Sequence, residues 1–183
     1  MSDTPVQFIT DREIYDRVIR EAVPSAEEFV WIATATLKDM YVHHGRGMAP
    51  FLAVLSELVD RGVALRMLHA QEPGPAFRED YDKYPNLIEG LEMILCPRVH
   101  FKSVIVDGRF AYSGSANLTG AGMGAKGVHR RNFESGFVTT DPGLVKQIMA
   151  PFDAIWMGEQ CTRCDRKAHC VTYLELLQFV DDR

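Results

Sequence analysis

Short apolar runs at 29–33, 63–68, 91–95, 104–106, 110–112 and 133–139 alternate with stretches of helical periodicity along this chain. Strand-sized runs separated by helix or turn signals specify an α/β fold with one central sheet. None of the runs approaches the roughly 20 apolar residues that a membrane-spanning helix needs. With 183 residues, 46% of them hydrophobic and 25% charged, the chain can bury a substantial core within one domain. The same balance excludes a disordered, collagenous or rod-like coiled-coil protein.

Turn and cap signals divide the chain further. Thr10 and Glu13 have the spacing of a capping box, and Ile14, Val18, Ile19 and Ala22 follow at helical intervals until Pro24. After the run at 29–33, residues 34–47 read as a polar, irregular loop carrying His43 and His44, a candidate rim of a cleft. Residues 50–60 read as a helix with Leu52, Leu55, Leu58 and Val59 on its apolar face, ended by Arg61 and Gly62. Residues 71–90, punctuated by Pro73, Gly74, Pro75, Pro85 and Gly90, read as a crossover with short helical turns. Asp107-Gly108 is a strong two-residue turn between two strands, and residues 114–127 are too glycine-rich for one regular element. Asp141-Pro142 starts a helix whose buried side holds Leu144, Val145, Ile148, Phe152 and Trp156. Residues 159–170 are polar and bear cysteines, and 173–179 reads as a final short helix. The expected organisation is a main domain over 1–158 with a cysteine-rich segment, 159–183, packed on it.

Charge is uneven. The whole chain has a formal charge of −5, yet residues 96–131 hold Arg98, Lys102, Arg109, Lys126, Arg130 and Arg131 against the single acid Asp107. His100 and His129 lie in the same stretch. A local basic field on an acidic chain suits a phosphate or another bound anion, or simply a solvated basic loop. Within it, His100 and Lys102 are two apart, so on a strand they share a face. Gly114, Ser115 and Asn117 then supply a close-approach turn and two hydrogen-bonding side chains. Lys102 would neutralise a phosphoryl oxygen while His100 either attacks phosphorus or shuttles a proton; the residues alone leave both roles open.

The order His100-x-Lys102-x4-Asp107-x6-Gly114-Ser115-x-Asn117 closely resembles the signature of the phospholipase D superfamily, and Asn132-Phe133-Glu134 resembles its second motif. The resemblance spans roughly residues 8–158 and is sharp over 100–134. It implies a phospholipase D-like α-β-α sandwich with a mixed central sheet. By that resemblance His100 is the nucleophile, forming a covalent phosphohistidine, or the general acid. Lys102, Ser115 and Asn117 hold the phosphoryl group, Glu134 orients the imidazole, and Asp107 and Gly114 are structural. Members use two such motifs per active site, and this chain has one, so the resemblance implies a homodimer sharing one site without a catalytic metal. Lys126, His129, Arg130, Arg131, His43 and His44 are candidate substrate contacts, with solvated surface charge the alternative for the basic group.

Among the superfamily's substrates, size and the single motif resemble the small dimeric nucleases. The loops at 34–47 and 114–130 are too polar to offer a lipid anchor. The expectation is therefore an intracellular endonuclease acting on DNA or RNA. A phospholipase or small-diester hydrolase, and a non-catalytic nucleic-acid-binding or scaffold member, are the alternatives. The N-terminal MSDTPVQF lacks the basic and apolar regions of a signal peptide, which points to a soluble cytoplasmic protein. Cys161-x2-Cys164-x5-Cys170, with Cys96 four residues before His100, suggests a four-thiolate metal site in a reducing compartment. Zinc is the first choice, with an iron–sulfur cluster or no metal as alternatives, and His169 is another possible ligand.

Overall fold

The computed structural model describes residues 4–38 and 40–170. Strands β1 (Val6–Thr10), β2 (Phe29–Thr34), β5 (Ala64–His69), β6 (Leu91–Leu95), β7 (Lys102–Val106), β8 (Phe110–Gly114) and β9 (Ser135–Thr139) form one mixed sheet in the order β1-β9-β8-β7-β2-β5-β6. The β2, β5 and β6 strands are parallel, whereas β7, β8, β9 and β1 continue the sheet antiparallel from β2. Two further strands, β3 (Tyr41–His44) and β4 (Gly47–Pro50), make a separate hairpin.

Alternation along the strands assigns the two faces. Val30, Ile32, Leu65, Met67, Val104 and Val106 point to one side. There they meet the helical segment α1, which runs from Arg12–Ile14 through a π-helical stretch Tyr15–Ala22 to a 3-10 turn Val23–Ser25, and helix α2 (Phe51–Asp60). Trp31, Ile105, Ala111 and Leu68 point to the opposite side, against α5 (Pro142–Trp156). Phe152 of α5 stacks between Trp31 and Trp156, with ring centroids 4.9 and 5.7 Å away. Helices thus cover both faces, as the α-β-α expectation requires. Short helices α3 (Pro75–Tyr81) and α4 (Asn86–Gly90) occupy the 71–90 crossover. No helix among the described residues is long and apolar enough to cross a membrane.

Several boundaries differ from the sequence reading. The N-terminal residues carry β1, an edge strand paired with β9, although one alternating pentapeptide gave no signal strong enough to name it. The 34–47 segment, read as loop, contains β3 and continues into β4. Only half of the capping box forms. The Thr10 N–H donates to Glu13 Oε2 at 3.1 Å, but the helix N-cap is Asp11, held at φ 46°. The expected helix at 173–179 lies outside the described residues. By contrast Asp141 caps α5 as its sequence implies, with Oδ1 accepting from Leu144 N at 2.8 Å.

Candidate active site

The motif spacing has a structural reason. β7 and β8 form a hairpin closed by Asp107-Gly108, both with positive φ (52° and 63°), and Arg109 N donates to Val106 O at 3.0 Å. That is the primed turn whose twist suits adjacent strands. Its register sets Lys102 directly across from Gly114, so the two halves of the motif meet at one end of the hairpin. Asp107 then ties this turn to the start of β2. Its Oδ1 accepts from Glu28 N and Phe29 N, both at 2.8 Å, and its Oδ2 accepts from Glu27 N at 3.0 Å. Burial pushes its carboxyl up, but the three N–H donors and nearby Arg109 outweigh that and leave it below its ordinary value.

Lys102 is the first residue of β7 and only 7% exposed. Its Nζ donates to the His100 carbonyl at 2.6 Å and lies 3.5 Å from His100 Nδ1. No carboxylate pairs with it among the described residues. His100 itself precedes the strand and is exposed, on an open cleft of about 640 Å³ also lined by Ala35, Gln71, Arg98 and Val99. A buried side-chain amine without a carboxylate partner, beside an exposed imidazole, is an arrangement that can receive an anion.

Gly114 faces Gly136 across the β8–β9 ladder. A Cβ at Gly114 would lie 2.6 Å from Ser135 O and would also strike the Tyr112 hydroxyl, so no larger residue fits without moving the strand. The close approach sets Ser115 against β9. Its Oγ donates to Glu134 Oε2 and accepts from Ser135 N at 3.1 Å. Asn132 Nδ2 donates to the other Glu134 oxygen at 3.0 Å. Within the chain the Glu134 carboxylate therefore takes Ser115 and Asn132 as its partners, and no hydrogen bond joins it to His100. Asn117 turns its Oδ1 to the loop after β2, accepting from Ala35 N and Thr36 N, both at 3.1 Å. Its Nδ2 is the end left for a ligand.

Three supporting residues escaped the sequence reading. Thr34, buried at the end of β2, donates to Thr36 O at 2.9 Å and accepts from Leu118 N at 2.9 Å, fixing the Asn117 loop. Asp11 holds Glu134 by an N–H···O pair in each direction, 2.9 and 3.0 Å, and its carbonyl abuts Gly124. Tyr112, fully buried, accepts from Ala116 N at 3.4 Å, and burial pushes its hydroxyl up to about 12. Only the positive φ required of Gly124 had a sequence correlate, the glycine-rich run; Thr34 and Asp11 act through long-range contacts, to Leu118 and Glu134.

Of the candidate substrate contacts, Lys126, His129, Arg130 and Arg131 sit on the loop leading to Asn132, and none has a side-chain ion pair among the described residues. His43 and His44 are on β3 instead. His44 Nε2 lies 2.9 Å from Glu57 Oε1 of α2, and neither histidine shares a hydrogen bond with the His100 group. The four cysteines converge on one cavity next to the His100 turn. The side chain of His169 falls outside the described part.

The fold and this histidine–lysine–serine–asparagine group together define a phospholipase D-type domain. The family described as "Cardiolipin synthase, PLD-like domain" matches residues 7–156, and the chain belongs to it. Nuc from Salmonella typhimurium, described as a phospholipase D family member, is similar in structure with a TM-score of 0.61 and 21% identity. The match covers 82% of this chain and 93% of Nuc. NucT from Helicobacter pylori gives 0.59 and 16% over 83% and 96% of the two chains. TrmBL2, an archaeal chromatin protein, gives 0.56 and 14% over 86% of this chain and 54% of its own. No curated protein sequence matches.

Proposed function

We propose that the chain is a phosphodiesterase that works as a homodimer and cleaves nucleic acid through a covalent phosphohistidine. The observation that carries this reading is the nearly buried Lys102 ammonium, without a carboxylate partner and 3.5 Å from the His100 ring. Lys102, Asn117 Nδ2 and the Ser115 hydroxyl would hold the non-bridging phosphoryl oxygens. A ring nitrogen of one His100 would attack phosphorus as the P–O bond to the leaving group breaks. The second copy's His100 would give its proton to that oxygen, then take one from the water that hydrolyses the phosphohistidine. This sequence needs no catalytic metal.

A dimer that joins its two half-sites at the two-fold axis is supported by Phe133, which is 96% exposed beside Glu134, with exposed Val128 nearby in sequence. The unpaired cations at 126–131 favour a polyanionic diester over a lipid. TrmBL2, which shares the fold, is described as binding DNA. A cytoplasmic location follows as part of the same proposal.

The test is cleavage of single- and double-stranded DNA and of RNA in excess chelator, with the wild type and His100→Ala. Retained cleavage by wild type, loss of at least 1,000-fold in the variant (an expectation of about this size) and an acid-labile phosphoryl adduct on His100 are expected. Cleavage that disappears with chelator in a folded protein, or persists in His100→Ala, would overturn the mechanism.

A further inference from the structure

Cys96 lies just after β6, where its N–H donates to His69 O at 2.8 Å and its carbonyl accepts from Val99 N at 2.9 Å. The other three cysteines come from the turns after α5, more than sixty residues later in the chain. The fold nevertheless brings Cys96, Cys161, Cys164 and Cys170 around one cavity of about 190 Å³, which Phe101 and Ile155 also line. All four are free thiols and partly buried. Arg98 sits at Cys164, and Arg166 reaches across the gap to donate to Pro97 O at 3.0 Å.

The geometry points to an iron–sulfur cluster held by Cys96, Cys161, Cys164 and Cys170. Four thiolates around one tetrahedral zinc lie about 2.3 Å from a single point and leave no space between them, whereas these four line a cavity of about 190 Å³. In a cluster each terminal thiolate binds an iron of a multi-atom core, so the sulfurs stand apart around a volume. Each thiol loses a proton on ligation, and the thiolate-bound core retains negative charge. Arg98, Arg166 and Lys167 supply the positive rim that such a charge calls for. The cluster would bolt the 158–170 segment to the 96–99 turn. Arg98 and Val99 of that turn line the cleft together with the adjoining His100, so the centre would position the imidazole without touching substrate.

The experiment is metal and acid-labile sulfide analysis of the full chain, expressed in iron-replete cells and purified without oxygen, with visible absorption and electron paramagnetic resonance before and after dithionite. Iron and sulfide in equal amounts, about two or about four per chain, with a broad visible band that bleaches on reduction, are expected. Cys96→Ser and Cys164→Ser should each lose most of the iron. One zinc per chain without sulfide, or four titratable thiols with no metal, would overturn the cluster. The wild-type stoichiometry decides even where a cysteine variant fails to fold. It is also independent of phosphodiesterase activity, so failure here leaves the proposed reaction standing, and the reverse.

Discussion

Asp107 illustrates how a motif residue acts without touching a reacting group. Its carboxylate collects three backbone N–H donors from 27–29, so it must be ionised to be satisfied. Asp107→Asn should cost about 1–3 kcal/mol, because one side-chain donor would then face a backbone donor. The sign of the pH dependence follows from a folded-state carboxyl lowered below its unfolded value. The stabilisation is complete above about pH 4 and is lost as pH falls through the lower folded value. The Tm difference between wild type and Asp107→Asn should therefore shrink in acid. Lys102 shows the opposite trade. Burying its ammonium with a carbonyl but no carboxylate partner costs stability that a bound anion would return. Lys102→Met should lower cleavage at least about 100-fold while leaving Tm unchanged or raised, and phosphate should raise the Tm of wild type but not of the variant.

At the scale of elements, β7, β8 and β9 carry the candidate site because each ladder fixes a register. The Asp107-Gly108 turn sets Lys102 across from Gly114, and the Gly114–Gly136 pair lets β9 come close enough for Ser115 to meet Glu134. A Cβ at Gly136 would lie 2.7 Å from both Ser113 O and the Tyr112 ring. Gly136→Ala should destabilise by about 1–3 kcal/mol through that overpacking and reduce activity further than its stability loss explains, which kinetics on the folded fraction would read. On the far face, α5 is anchored by Phe152 between Trp31 and Trp156. Phe152→Ala should cost about 3–5 kcal/mol in denaturant unfolding, with the folded enzyme's rate little changed.

For the whole molecule, one chain presents one motif histidine, His100, and the proposed chemistry uses two. The 96% exposed Phe133 marks the surface where a second copy would sit. Phe133→Asp should yield a folded monomer by sedimentation, with activity lost in step with dimer dissociation. Replacing Arg130 and Arg131 by alanine should weaken nucleic-acid binding across all sequences. It should also flatten the dependence of log K on log salt by about 1 for each phosphate contact removed.

How far the chain could be read without its structure differs from one feature to another. Most of the sheet was legible because burial on both faces leaves apolar runs, and the Asp107-Gly108 turn because few residues tolerate a positive φ. The β1 edge strand was not, since its pattern is brief and its pairing with β9 spans more than a hundred residues. The residues His100, Lys102, Ser115 and Asn117 and their spacing are local, so the sequence alone could propose them as a site. Their partners are set by contacts between distant segments: Asp11 on Glu134, Thr34 on the Asn117 loop, Cys96 facing the cysteines after α5. A one-dimensional pattern records spacing along the chain. Which separated segments come to share a cavity is decided only when the sheet order and the helix packing close around the core.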